Sequence, residues 1–394
     1  MKILHTFRLN RVKWRHWLLL VLLLLVTLVK MIPLWGFIYT TRIYPIIGTL
    51  LSPISGFFPF AVGDIFIALS IAWVIFYPIY EIGLRKKLAR RYFFLAAKRG
   101  CYPKKKVVFG RVAEYLLWVY AWFYIAWGLN YSQPNIYARI EMKPVEVSEA
   151  KFKAFAYQYA DSLNALSISS DIARSSIFSD SIVDDGLKNR VRDAVLKEYN
   201  KIGYKEGINA PFNQHPHAKT MVFTPLSSMS GVTGSMGPFF CEFTLNGDIL
   251  PHDYPATYAH EFAHFLGAAN EGEANFYSYI VCTASADKQV RFSGYYHIFF
   301  HVLNNVFDIL GEKEGERFLK HIRPEIIQLA KSDRRYWLSK RCKALDAAQD
   351  IIFDFYLRGN HVAEGRKSYS GVIGLILAWE EKKNTQGKDE QGRK

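Results

Sequence analysis

The sequence predicts a mainly α-helical protein with three N-terminal transmembrane helices and a mostly helical outer domain that contains a small sheet. Three observations support this fold class. Long apolar stretches occupy the first third of the chain. Apolar positions with the helical period recur through the remainder. Between two helical regions, residues 218–250 contain β-forming residues bounded by Gly and Pro, which predict one or two short strands.

The first third is predicted to be a membrane anchor. Its apolar stretches cover about 17–38, 63–83 and 107–129, each close to the roughly 20 residues that a membrane-spanning helix needs. Lys30 interrupts the first stretch, but a lysine near the end of a span can extend its ammonium group to the interface. A signal peptide is the alternative for this stretch, yet two further spans follow and no small-residue cleavage site lies close behind it.

The distribution of charge gives the orientation of these spans. The whole net charge of +15 lies in residues 1–129, which hold 18 Lys and Arg against three acids, whereas the rest is balanced. A nucleic-acid surface is therefore not expected, since it requires a basic face on a folded domain. Five basic residues precede the first span and eleven lie in 84–111, but the loop between spans one and two has only Arg42. Both basic segments should remain in the cytoplasm, so three crossings place residues 130–394 outside.

These patterns divide the chain into a membrane anchor, residues 1–130, an extracytoplasmic domain, residues 131–380, and a polar, disordered tail, residues 381–394. Besides the helix that starts near residue 256, helices are predicted at 147–165, 185–202, 295–311, 314–331, 343–357 and 368–380. The last of these is too short to cross a bilayer and is expected in the core. Three external cysteines allow one intramolecular disulfide at most.

The motif HEFAH, residues 260–264, carries the main functional prediction. Residues four apart on a helix share a face, so His260 and His264 can bind one Zn²⁺ while Glu261 approaches the activated water as general base. With 11 His and 19 Glu in 394 residues, chance predicts only about 0.015 such motifs per chain. The pattern therefore indicates a zinc site in which attack on a peptide carbonyl is the natural reaction.

Two glutamates, Glu271 and Glu273, follow this motif and are candidates for a third ligand. Gly267 can end the first helix in a left-handed cap, so the next segment turns back. If residues 271–282 form a helix, Glu271 and Asn275 share a face, and Glu273 points about 160° away. Asn275 can then hydrogen-bond a ligand histidine from outside the metal shell.

The motifs HEFAH and EGEAN together resemble those of the gluzincin metallopeptidases. By position, this resemblance implies a zincin-like α+β outer domain, zinc on His260, His264 and Glu271, and Glu261 as catalytic base. Asn275 stands where many relatives have Asp, and the spacing between the motifs is short for gluzincins, so Glu273 stays open as an alternative ligand. The spans, WGLNY at 127–131, EGEANFYSY and YLRGN…SYSGVIGLIL also resemble a bacterial membrane family known only as a domain of unknown function, which implies no substrate.

Several other residues are weaker candidates. His297 and His301 are also four apart but lack the accompanying acid, so core or interface positions are expected. His215 and His217 lie in a Pro-flanked loop that is expected at the surface. Tyr295 and Tyr296 are expected in the core, with stabilisation of an oxyanion as the alternative. The strand at 238–245 can pair with an extended substrate, with Glu242 facing either the cleft or solvent. The small-residue segment 227–237 is a candidate lid.

The sequence thus predicts a membrane-anchored zinc metallopeptidase, with the lipid bilayer and a peptide or protein substrate as partners. Its location would be the bacterial cytoplasmic membrane, with the C-terminal domain on the extracytoplasmic side. A catalytically silent zinc protein that acts as a sensor or scaffold is the alternative. The two hypotheses differ in whether Glu261 matters for turnover.

Overall fold

The computed structural model describes residues 13–91, 105–145, 148–169, 183–342 and 371–391. It is mainly helical with a single three-stranded sheet in the described residues, which agrees with the predicted mainly α class. The predicted helix at 343–357 and most of the basic loop after the second span lie outside these ranges.

The described N-terminal part contains five helices and a π-helical turn at Tyr39–Ile43. The helices are α1 (Trp14–Met31), α2 (Pro33–Ile38), α3 (Tyr44–Gly56), α4 (Val62–Arg91) and α5 (Lys105–Ala126). Two of them, α1 and the Val62–Leu84 part of α4, are long and apolar enough to cross a membrane. Only 11% and 6% of their most apolar windows are buried, so these helices are not core helices of the described fold.

The third predicted span, α5, is a helix of 22 residues but is less apolar than the other two. Its hydropathy is reduced by many Trp and Tyr residues and by charged groups that include Arg111 and Glu114. It nevertheless packs between α1 and α4. Arg15 pairs with Glu114 at 2.8 Å, and the Lys30 ammonium donates to the Tyr124 hydroxyl at 2.9 Å, so α1 and α5 run parallel.

Helix α4 runs antiparallel to α5. The Ser70 and Tyr115 hydroxyls are 2.7 Å apart, and Arg111 donates to the Tyr77 hydroxyl at 2.9 Å. Because Tyr77 follows Ser70 whereas Arg111 precedes Tyr115, the two helices have opposite directions. The arrangement of the three helices is thus up, down and up.

The outer part combines short strands with helices. Its elements are α6 (Ile136–Arg139), α7 (Glu149–Ser169), α8 (Asp185–Ile202), β1 (Lys219–Thr220), α9 (Thr224–Met229), β2 (Gly234–Gly237), β3 (Glu242–Leu245), α10 (Tyr254–Phe265), α11 (Glu271–Ala284), α12 (Lys288–His297), α13 (Phe299–Leu310), α14 (Glu312–His321), α15 (Pro324–Lys340) and α16 (Val372–Gln391). The strand order is β1-β3-β2, with β1 parallel and β2 antiparallel to β3.

Two element boundaries differ from the prediction. The helix predicted at 314–331 is divided into α14 and α15, because Pro324 lacks an amide hydrogen and favours the first turn of a new helix. Helix α16 begins in the core as expected but continues to Gln391, through most of the segment predicted to be disordered. Lys151 pairs with Glu381 at 2.6 Å, and Lys382 donates to the Ile140 carbonyl at 2.8 Å, which fixes the start of this segment.

Helix α10 lies at the centre of the outer part, and all twelve of its residues are buried. Phe243 of β3 packs on one side of it through ring contacts with Tyr258, Phe262 and Phe265. On another side, the Tyr199 hydroxyl of α8 donates to the Ala259 carbonyl at 2.7 Å. A helix enclosed in this way can hold its polar side chains in fixed positions.

The N-terminal helices are joined directly to the C-terminal end of α10. The Trp127 indole N–H, one residue after α5, donates to the His264 carbonyl at 3.0 Å. The Tyr44 hydroxyl of α3 donates to the Phe265 carbonyl at 2.6 Å. The Phe265 carbonyl is one that the end of a helix leaves unpaired, whereas the His264 carbonyl also accepts from the Gly267 amide at 3.0 Å. The bonds from Trp127 and Tyr44 also attach the HEFAH motif to the predicted anchor.

Candidate metal centre

Three predicted side chains converge at the junction of α10 and α11. His260 Nε2 lies 3.1 Å from His264 Nε2 and 3.1 Å from Glu271 Oε2, and His264 Nε2 lies 3.4 Å from the same carboxylate oxygen. All three residues are largely buried, and their ligand atoms form a group that could hold a metal ion. The structure therefore brings together the residues that the sequence proposed as ligands.

The local chain path explains this convergence. Gly267 has φ +100°, a conformation that suits glycine, and ends α10 so that the chain reverses. Asn270 then caps α11, with its side-chain oxygen accepting from the Glu273 amide at 3.1 Å. The first residue of α11 is Glu271, whose carboxylate is directed back at the two histidines of α10.

The other ring nitrogens of both histidines have fixed partners. His264 Nδ1 donates to the Ala268 carbonyl at 2.6 Å, and His260 Nδ1 lies 2.8 Å from Asn275 Oδ1. A carbonyl oxygen only accepts, so both Nδ1 atoms carry a proton, and the Nε2 atoms are the ones that face the cluster. Partners of this kind hold metal-binding histidines in the required tautomer and orientation. Asn275 has the position that the sequence suggested for it.

Glu273 has a different environment from Glu271. Its carboxylate forms an ion pair with Arg139 at 2.5 Å and accepts from the Ile136 amide at 2.9 Å. The side chains of Glu273 and Arg139 are only 7% and 3% exposed. The Glu273 carboxylate is thus already paired with groups of α6, and the described geometry favours Glu271 as the third ligand.

The electrostatics of the cluster follow from its burial. Burial alone would lower the pKa of His264, but the adjacent Glu271 carboxylate and the Ala268 carbonyl raise it to about 9. Burial would raise the pKa of Glu271, but His264 and His260 hold it well below its usual range. Without a cation, the cluster is therefore an ion pair that holds a proton. A divalent cation would take the place of this positive charge.

Glu261 lies beside the cluster with an oxygen that has no fixed partner. The residue is 5% exposed, and Oε2 has no hydrogen-bond partner among the described residues. Burial raises the pKa of Glu261, although His260 and His264 oppose this effect. A buried carboxylate oxygen without a partner is unfavourable, so a position of this kind indicates a group held for a ligand or a reacting molecule.

The carboxylate of Glu261 also contacts the sheet. A methyl group at Gly234 of β2 would overlap the Glu261 side chain, so only glycine leaves room here. In the described sheet, β2 is an edge strand and β3 is central. The prediction that the strand at 238–245 offers a substrate edge is therefore wrong, because both of its sides are paired. The segment 227–237, the candidate lid, instead supplies the edge strand next to Glu261.

Glu242 lines a cleft, but none of the three proposed ligand residues lines the same cleft. It is buried, and its carboxylate forms an ion pair with Lys219 at 2.7 Å and accepts from the Gly63 amide at 2.5 Å. Gly63 is the second residue of α4, so this ion pair joins the sheet to the start of a candidate span. The role of Glu242 in the fold is to connect the two parts of the chain.

His297 is nearer to the site than the sequence indicated. Its Nε2 donates to Asn275 Oδ1 at 3.0 Å, and its ring centroid lies 6.0 Å from that of His260. Burial and the neighbouring His260 lower the pKa of His297 to about 3, so the ring is neutral. His297 and His260 share the acceptor Asn275 Oδ1. Sequence spacing could not indicate this link, because α12 contacts α11 only in the folded chain.

The candidate Tyr296 belongs to a different group of side chains, which surrounds Asp333. Tyr296 is a core residue, and its hydroxyl donates to Asp333 at 2.5 Å. His252 also lies 2.9 Å from Asp333, and with Asp253 these residues form a second group with metal-ligand geometry. Asp333 Oδ2 already has hydrogen-bond partners in Tyr296 and His252, so no metal is needed to explain its position. Cys241, Cys282 and Cys342, the described cysteines, are free thiols.

The family model described as "Protein of unknown function (DUF3810)" matches residues 39–377, so the chain belongs to this family. The match includes α3, α4, α5 and the candidate metal centre. No curated protein and no solved structure matches the chain.

Proposed function

We propose that this member of the DUF3810 family is a membrane-anchored zinc metallopeptidase with its site on the extracytoplasmic side. The observation that carries the proposal is the convergence of His260, His264 and Glu271 next to the buried carboxylate of Glu261. Any one of these residues alone has an ordinary structural explanation. Two histidine Nε2 atoms, a carboxylate and an unpartnered acid in one buried place do not.

The separations of the three ligand atoms suit zinc. Ligands at about 2.0–2.1 Å in a tetrahedron are about 3.3–3.4 Å apart. The three observed separations of 3.1, 3.1 and 3.4 Å lie close to this value. Two histidines and one glutamate are a ligand set of catalytic zinc sites, which keep a fourth position for water or substrate. Zinc, when bound, supplies a Lewis acid that activates water and polarises a carbonyl group.

The protein itself would supply the base and the substrate edge. Glu261 accepts the proton from the attacking water, and its raised pKa brings it nearer to the operating pH of a general base. An extended peptide would pair with the backbone of β2, the edge strand that contains Gly234. Because Gly234 lies against Glu261, a peptide bound there has its backbone close to the base.

Anchoring and orientation are further parts of the proposal. The parallel packing of α5 against α1 supports α5 as a third span, despite its lower hydropathy. The start of α1, the end of α4 and the start of α5 then lie at the same end of the bundle, and the positive-inside rule assigns the end next to the basic segments of the sequence to the cytoplasm. The outer part follows α5 and lies at the opposite end, facing the outside of a bacterial cytoplasmic membrane.

The central test is the substitution Glu261→Gln in the full-length purified protein. We expect it to keep the fold and one bound zinc per chain, and to lower peptide hydrolysis by about 10²–10⁴-fold, the usual contribution of a positioned base. His301→Gln is a matched control, since His301 lies outside the ligand cluster and should keep both zinc and activity. Zinc is measured by elemental analysis.

Because the substrate is unidentified, activity is best read from new peptide N-termini in membranes that contain wild-type or Glu261→Gln protein. Cleavage products found only with wild-type protein, and lost with chelator, support the proposal. A zinc-loaded protein with identical N-termini in both samples would instead favour the silent sensor or scaffold. A folded protein without metal would refute both.

A further inference from the structure

Helix α3 has two different faces. Tyr44, Gly48, Ser52 and Ser55 are buried at intervals of three or four residues. On the opposite side, Ile46, Leu50, Ile54 and Phe57 follow the same spacing and are 62%, 64%, 60% and 85% exposed. An exposed stripe on a surface helix is normally polar or charged, whereas this one is apolar over its whole length.

The buried face holds α3 against the outer part by close contacts. A side chain at Gly48 would overlap the Phe212 ring, so glycine permits close packing here. The Ser52 hydroxyl accepts from the Asn213 amide at 2.8 Å, and the Ser55 carbonyl accepts from Lys219 at 2.6 Å. Together with the bond from Tyr44 to α10, these contacts fix which face of α3 is turned outward.

The stripe is continuous with the membrane-spanning part of the chain. Residues 43–63, from α3 to the start of α4, contain no Asp, Glu, Lys, Arg or His. The segment lies between two candidate spans, Trp14–Met31 and Val62–Leu84, whose apolar side chains are also exposed. With 13 residues, α3 is about 20 Å long, too short to cross a hydrocarbon core of about 30 Å.

We propose that α3 is an interfacial helix whose stripe of Ile46, Leu50, Ile54 and Phe57 lies in the outer leaflet of the bilayer. The inference rests on the membrane anchoring proposed above and adds a lipid-binding surface outside the spans. Lipid is favoured over a protein partner because the chain enters and leaves α3 through membrane spans, and because the stripe offers no charge or hydrogen-bonding group for specific pairing. Helices of this kind bury their apolar face about 5–10 Å into the interface.

This position has a consequence for the candidate metal centre. The buried face of α3 is bonded to the Phe265 carbonyl, one residue from His264, through the Tyr44 hydroxyl at 2.6 Å. The metal centre is therefore held at a fixed and short distance from the lipid surface. Its substrates would be chains tethered to the membrane or lying on it.

The test is a nitroxide scan of the full-length protein in phospholipid vesicles. Single cysteines are placed at Ile46, Leu50 and Ile54 in a background without the native cysteines. Leu69, exposed in a candidate span, and Lys197, exposed on the outer part, serve as controls. Collision rates are measured with oxygen, which concentrates in lipid, and with a polar nickel chelate, which stays in water.

We expect the three stripe labels to favour oxygen over nickel, as the Leu69 label does, but at shallower depth. The Lys197 label should favour nickel. Stripe labels that behave like the Lys197 label, while the Leu69 label reports lipid, would overturn the inference and leave membrane anchoring intact. Labels shielded from both reagents and broadened by a nearby spin would identify a second copy as the occupant, which also overturns it. A Leu69 label in water would refute the anchoring itself.

Discussion

The ion pair of Glu273 with Arg139 gives a direct way to decide which glutamate binds metal and which supports the fold. Glu273→Gln removes the negative charge and keeps the size and one acceptor oxygen of the side chain. Arg139 is then left buried with reduced compensation, since its side chain is only 3% exposed. Loss of one partner of a buried ion pair costs about 3–5 kcal/mol, and the remaining amide oxygen places the expected value near 3 kcal/mol.

This destabilisation is measurable as a shift in melting temperature. In a domain of 150–250 residues, 1 kcal/mol corresponds to about 2–4 °C, so Glu273→Gln should lower the melting temperature by roughly 6–12 °C. The folded variant should keep one zinc per chain at low temperature. The matched variant is Glu271→Gln, which should lose zinc affinity by more than the roughly 10–100-fold that a supporting hydrogen bond contributes.

The two variants are compared by differential scanning fluorimetry and by zinc titration against a competing chelator. Loss of zinc from Glu273→Gln, with an unchanged melting temperature in chelator, would contradict the assignment of Glu271 as ligand, and this assignment is tested further by the second variant. The assignment also fails if Glu271→Gln retains the zinc affinity of the wild type. Either result would make Glu273 the third ligand and would require the Arg139 pair to open when metal binds.

Two further predictions concern the neighbours of the cluster. Gly234→Ala should displace the Glu261 carboxylate and lower peptidase activity at least 10-fold with zinc still bound. Ser235→Ala, on the exposed side of β2, should leave the activity unchanged. Equal activities of the two variants would contradict the contact between Gly234 and Glu261. Burial lowers the pKa of His297, so the folded protein does not take up the proton that His297 of the unfolded chain binds below about pH 6.5. The folded state therefore loses stability relative to the unfolded state as the pH falls below this value. In chelator-treated protein, His297→Gln should therefore show a smaller fall of melting temperature on acidification than wild type, and an equal fall would refute the neutral, buried assignment.

Local spacing was sufficient to predict the two-histidine part of the site. His260 and His264 share a face because a helix has 3.6 residues per turn, and this does not depend on the rest of the chain. The choice between Glu271 and Glu273 depended on the path of the chain after Gly267 and on the ion pair with Arg139. Arg139 is more than 130 residues away in sequence, so no local pattern could indicate it.

The errors and omissions have the same origin. The prediction that β3 offers an edge is wrong because strand order is set by contacts between distant segments, which the sequence of one strand does not indicate. β1 and β2, with two and four residues, are too short to show a clear alternation. The link of His297 to the site passes through Asn275 on another helix, so local spacing could not indicate it. Hydropathy also separates α5 from the two candidate spans, although its polar groups are paired with α1 and α4.

The contacts between the N-terminal helices and α10 argue that the anchor is part of the site rather than a tether. A linker that only retained the outer part at the membrane would need no hydrogen bonds to the HEFAH helix. Here Trp127 donates to the carbonyl of a proposed ligand residue, His264, and Tyr44 donates to the next carbonyl. The family match begins at residue 39 and includes both of these residues. Separation of the outer part from the N-terminal helices would therefore expose the end of α10 and remove the Trp127 and Tyr44 donors, so the proposed enzyme is best assayed as a full-length protein.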